Sequence, residues 1–83
     1  MSDRVFMREE VREALEDIVK HRNAKALNWA VNYADCGIDM IDSGCNDYDL
    51  RTQLIYVKNN ITHWRGEDAK RVREILKRAI GNL

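Results

Sequence analysis

The chain has 83 residues with no proline, four glycines and two cysteines. At that length it makes a single domain that buries roughly 60–65% of the surface its unfolded form exposes. Fourteen Lys/Arg balance fourteen Asp/Glu, which argues against a dedicated, globally basic nucleic-acid binder, and 45% apolar residues argue against a disordered polyelectrolyte.

Helix 1 is expected over about 7–21. Met7, Val11, Ala14, Leu15 and Ile18 make one stripe at helical spacing, with Val19 at its edge. Glu9, Glu10, Glu13, Glu16 and Asp17 fill the other side. The early acids and the late Lys20, His21 and Arg22 match the helix dipole.

The next segment is the most informative. Wound as a helix, Lys25, Asn28, Asn32, Asp35, Asp39 and Asp42 fall within one arc of roughly 100°, and the rest of the circumference is apolar. The phase survives across Gly37, so the pattern predicts one uninterrupted helix over about 24–43. Asn23 would be its N-cap and Gly44 its stop. Ala26, Ala30, Ala34 and Gly37 form a row of small side chains on which another helix can approach closely. Leu27, Val31 and Ile38 flank that row on one side, and Trp29, Tyr33, Cys36 and Met40 on the other. A helix this apolar is expected to be central, either wrapped by its neighbours or shared with a second subunit.

Helix 3 is expected over about 47–65, led by Asn46 or Asp47, with Leu50, Leu54, Val57, Ile61 and Trp64 as its core stripe and Gly66 as its stop. Helix 4 is expected over about 67–80, with Ala69, Val72, Leu76, Ala79 and Ile80 inward and Gly81 as its terminator. Short links favour antiparallel neighbours. The expected fold is one all-α domain over residues 1–83, a compact antiparallel bundle of three to four helices.

Two Cys and two His match a zinc ligand count, but His21, Cys36, Cys45 and His63 contain no closely spaced pair. The acidic run Asp39–Asp49 has Ile41 where a calcium loop needs an oxygen ligand, and it lacks the closing glutamate. No phosphate-cradling glycines, nucleophile elbow or metalloprotease motif occurs. Asp47 and Asp49 oppose a thiolate at Cys45. The expectation is therefore no enzyme, no metal and no cofactor. Two cysteines are too few for a secreted disulfide framework. Met1-Ser2-Asp3-Arg4 begins no leader-like apolar run, and no stretch approaches the ~20 apolar residues of a membrane span. A cytoplasmic setting is expected.

Charge is unevenly placed. Residues 1–49 carry six Lys/Arg against eleven Asp/Glu, residues 50–83 eight against three, and none of the Lys/Arg lies between Ala26 and Leu50. Compensation between neighbouring helices is the simpler reading. The other is a basic face, Arg65, Lys70, Arg71, Arg73, Lys77 and Arg78, offered to nucleic acid, although Glu67 and Asp68 at the start of helix 4 would repel phosphates. The favoured expectation is a non-catalytic protein-interaction module that binds a second copy or another protein. Its candidate contact residues are Trp29, Tyr33, Met40, Ile55, Tyr56 and His63, because aromatics and methionine are typical of interface centres.

Overall fold

A computed structural model describes the backbone of residues 3–83 and the side chains from Met7 onward. Met1 and Ser2, where the expected lack of a leader begins, lie outside the described residues. Four α-helices follow one another: α1 (Asp3–Lys20), α2 (Ala30–Asp42), α3 (Asp47–Asn59) and α4 (Glu67–Asn82), with a single 3₁₀ turn, Lys25–Leu27, between the first two. The molecule measures 37 × 21 × 18 Å along its principal axes.

Cross-helix bonds fix the directions. Arg8, in the first half of α1, donates to the Cys45 carbonyl just past the end of α2, and Gln53 of α3 donates to the Tyr33 carbonyl of α2. Arg71, early in α4, pairs with Asp17 late in α1, and Arg51 of α3 donates to the Ile80 carbonyl of α4. Each helix is thus antiparallel to the two it packs on, and the main packing pairs close a ring: α1 on α2, α2 on α3, α3 on α4, and α4 on α1. This is an all-α bundle in which α2 is one of four walls rather than the lone hub.

The core is apolar throughout. Leu15 and Ile18 of α1, Leu27 of the 3₁₀ turn, Leu50, Leu54 and Val57 of α3, and Val72 and Leu76 of α4 are fully enclosed, and no polar or charged residue among those described is buried. The part of α2 that is buried consists of Ala30, Ala34 and Gly37 alone. This is the small row read from the sequence without Ala26, which is half-buried in the 3₁₀ turn, and α1 presses on it. A Cβ placed on Gly37 would lie 2.9 Å from a methyl of Leu15 and 3.7 Å from Cγ of Gln53. Gly37→Ala should change unfolding free energy by less than ~1 kcal/mol, because the helix-propensity gain of about 1 kcal/mol offsets a shift of the flexible Leu15 tip. Gly37→Leu would wedge α1 away and should cost about 1–3 kcal/mol or more. Urea titration of the two variants measures both. A large loss in the alanine variant would mean that Leu15 has nowhere to go.

Several boundaries differ from the sequence expectation. Helix 1 was expected from 7 and begins at Asp3. The helix expected over 24–43 is divided: Ala24 is extended, the 3₁₀ turn follows, and α2 starts at Ala30 with no side-chain cap, so Asn23 is not its N-cap. The tighter winding, closed by Leu27 N–H to the Ala24 carbonyl at 3.0 Å, turns the chain back on α1 within a few residues and sinks Leu27 into the core. Gly37 does not break α2, as expected. Gly44 ends it, also as expected. At φ 75° it carries the paired bonds Gly44 N–H to Ile41 and Cys45 N–H to Met40 that satisfy the last carbonyls of the helix.

The helix expected over 47–65 stops at Asn59. The Asn60 side-chain amide donates to the Tyr56 carbonyl at 2.7 Å and competes with the next helical turn. Ile61 and Trp64 are nevertheless buried, from a non-helical segment. Arg73 of α4 reaches into that segment and donates to the Trp64 carbonyl at 2.6 Å and, more distantly, to the Ile61 carbonyl at 3.4 Å. Gly66 does not close helix 3. At φ 112° it stands immediately before α4, in a conformation that strongly favours glycine. Helix 4 runs through Gly81, the expected terminator, to Asn82.

Candidate interaction surface

The contact residues expected from the sequence divide into a group the fold brings together and a remainder. Trp29 lies just before α2, and Tyr33, Cys36 and Met40 follow at helical spacing, so all four share one narrow face. Tyr56 of α3 meets that face: its ring and that of Tyr33 are near-parallel (23°), with centroids 5.9 Å apart. Gln53 Nε2, donating to the Tyr33 carbonyl at 2.9 Å, ties the two helices below the stack. Trp29 is 67% exposed, Tyr56 51% and Tyr33 37%. Met40 is half-buried, one end of a strip that begins at Trp29. The aliphatic flank of α2 behaves differently, since Val31, Ile38 and Ile41 pack partly against the core.

Two of the expected residues are not in this group. Ile55 is half-buried and, one residue before Tyr56, points about 100° away around α3. His63 is exposed in the non-helical segment after α3. Two exposed side chains were not among the candidates. Cys36 is free and exposed within the strip, and Tyr48, in the first turn of α3, is 76% exposed. Tyr48 lies two residues before Leu50, on the opposite side of α3 from its core stripe, which was a signal in the sequence; Cys36 carried none, because the pattern puts it on the apolar side of helix 2.

The basic residues of α4 are largely engaged. Arg71 pairs with Asp17 and Asp68, Arg78 lies 3.8 Å from Glu10, and Arg73 holds the Ile61 and Trp64 carbonyls. Arg65, Lys70 and Lys77 make no ion pair among the described residues. His21 lies against both Trp64, at 5.2 Å between ring centroids, and Asp68, at 3.3 Å from Nε2, while its Nδ1 is 2.7 Å from the Asp17 carbonyl oxygen. The uneven charge is thus used largely between α1 and α4. The hydrogen bonds that Arg71 donates to Asp17, and then to Asp68, raise its pKa above the ordinary value.

The opposite end of α1 is held in the same way. Arg8 donates to Asp47 at 2.8 Å and to the Cys45 carbonyl at 2.9 Å, and the Asp47 bond raises its pKa against an opposing cost of burial. Arg12 grips both oxygens of Asp42, at 2.8 and 2.9 Å, and also pairs with Glu16. The Arg12 hydrogen bonds hold the Asp42 carboxyl below its ordinary value, against a smaller desolvation effect. A folded-state pKa lowered in this way adds stability that is complete above the unfolded value of about 4 and disappears as the pH falls through the folded value. Asp42→Asn should therefore melt slightly lower than the parent at neutral pH and lose less on acidification below about pH 4. Thermal melts between pH 2 and 7 would show this as converging curves, and parallel curves would separate the pair from folding.

Among the described residues, no group of three or more His, Cys, Asp or Glu is placed to hold a metal ion. No helix there is long and apolar enough to cross a membrane. The chain matches no protein-family model, no curated protein and no solved structure.

Proposed function

We propose that this chain is a non-catalytic protein-interaction module that docks its partner on the α2–α3 face. The carrying observation is the exposed aromatic group Trp29, Tyr33 and Tyr56, assembled from two helices with its two tyrosines stacked. These rings stand partly or mostly in solvent outside the core, and aromatic rings of this kind are the side chains that dominate binding energy at interfaces. A second copy is one occupant this reading admits, in the cytoplasmic setting expected for the chain. The nucleic-acid reading has less support, because Arg71, Arg73 and Arg78 are engaged within the fold and Glu67 and Asp68 open α4.

A photocrosslinker attached to Cys36 tests the reading, in a Cys45→Ser background. Cross-linked products are expected from this position, and Trp29→Ala should remove them. The same label at Lys77→Cys, with Cys36 also replaced by serine, should give no product that depends on Trp29. Equal products from both positions would sink the proposal. Trp29→Ala should weaken binding by about 2 kcal/mol or more, roughly thirtyfold. Its thermal unfolding should stay within ~0.5 kcal/mol of the parent, since the side chain is mostly in solvent.

A further inference from the structure

The aromatic face sits in a surface of one charge sign. Residues 26–50 contain no Lys or Arg. Asp49 of α3, seven residues before Tyr56 and on the same side of the helix, and Asp39 of α2, about 80° round from Trp29, are exposed and make no ion pair among the described residues; Asp35 is exposed further round, about 160° from Tyr33. The neighbouring carboxylates, Asp42 and Asp47, are taken by Arg12 and Arg8. On α3, Arg51 is directed to the Ile80 carbonyl on the α4 side. Lys25, exposed in the 3₁₀ turn before Trp29, stands at the rim.

Resting on the interaction reading above, we propose that the occupant of this face is a basic segment of another protein, carrying lysine or arginine beside aliphatic side chains. Aliphatic groups would cover the Tyr33–Tyr56 stack. Cations would lie over the open ring of Trp29 and towards Asp39 and Asp49, where ring quadrupole and carboxylate attract the same charge. A second copy docked through the same face would instead bring unpaired carboxylates against unpaired carboxylates, which disfavours the symmetric contact.

Three amphipathic peptides of about 14 residues test this, each with leucine on one face and either lysine, glutamine or glutamate on the other. Each is titrated into the full chain by calorimetry. The lysine peptide should bind roughly tenfold or more tighter than the glutamine peptide, and the glutamate peptide should not bind. The lysine advantage should shrink at about 0.5 M salt and in Asp39→Asn/Asp49→Asn. Trp29→Ala should lower lysine-peptide affinity at least about tenfold with an unchanged thermal melt.

Equal binding of the lysine and glutamine peptides, lost together in Trp29→Ala, would overturn the basic partner and leave the interaction face standing. A dimer seen by sedimentation that Trp29→Ala dissolves would replace the basic segment with a second copy. Failure of the lysine peptide to bind overturns the basic-segment proposal. If Cys36 cross-links are also indifferent to Trp29→Ala, the interaction reading falls with it.

Discussion

Trp64→Ala is expected to lower the unfolding free energy by about 3–5 kcal/mol, the usual range for removing a buried tryptophan. Trp64 is 5% exposed although it belongs to the non-helical segment joining α3 and α4. It closes one end of the bundle: its ring lies against His21 at the end of α1, and its carbonyl accepts from Arg73 of α4. Deleting the ring would open a void that these three elements share. For a domain of this size the loss corresponds to a drop in melting temperature of roughly 15–30 °C. Total stability at this length is about 4–12 kcal/mol, so a substantial unfolded population should be visible by circular dichroism at 37 °C. Trp64→Phe keeps most of the volume and should fall between the two. A Trp64→Ala protein melting within a few degrees of the parent would show that the segment is not a structural plug.

Leu54→Ala should cost about 2–5 kcal/mol, and Ile55→Ala, one residue later, less than about 1 kcal/mol. Leu54 is fully enclosed in the middle of α3, where it belongs to the one core that all four helices share. Truncating it removes apolar transfer energy and leaves a cavity that the packed neighbours can only partly fill. Ile55 is half-buried, about 100° further round the helix. Chemical denaturation of the two variants therefore reads the rotation of α3 about its axis. Equal losses would mean that the helix is turned from the orientation described, and Tyr56 would then be displaced from Tyr33. The pair of variants thus also checks the geometry on which the docking face depends.

The fold leaves an aromatic strip in solvent without weakening itself, and the small residues of α2 explain how. Ala30, Ala34 and Gly37 allow α1 to come within contact of the α2 backbone, with Leu15 against Gly37. That close approach completes the core using little of α2. The small row draws α1 in close, so the neighbours within one chain do not wrap the helix completely and the Trp29–Met40 flank is left over.

Much of the bundle was legible in the amino-acid pattern. The four helical stretches, the core stripes of α1 and α4, a helix start at Asn46 or Asp47 and the Gly44 stop all follow from local rules, because periodicity, capping hydrogen bonds and positive φ act over a few neighbouring residues. Asn46 does accept the Asp49 N–H, at 2.7 Å. The burial of Ile61 and Trp64 was also legible, but their conformation was not, since a stripe records which way side chains face and both a helix and a well-anchored loop can satisfy it. The end of α3 at Asn59 is local too, since the Asn60 amide takes the Tyr56 carbonyl. The late start of α2, the meeting of Tyr33 with Tyr56 and the exposure of Trp29 were decided by tertiary structure. Each depends on how closely one helix lies against another, a distance set jointly by side chains remote in the chain that no single segment encodes.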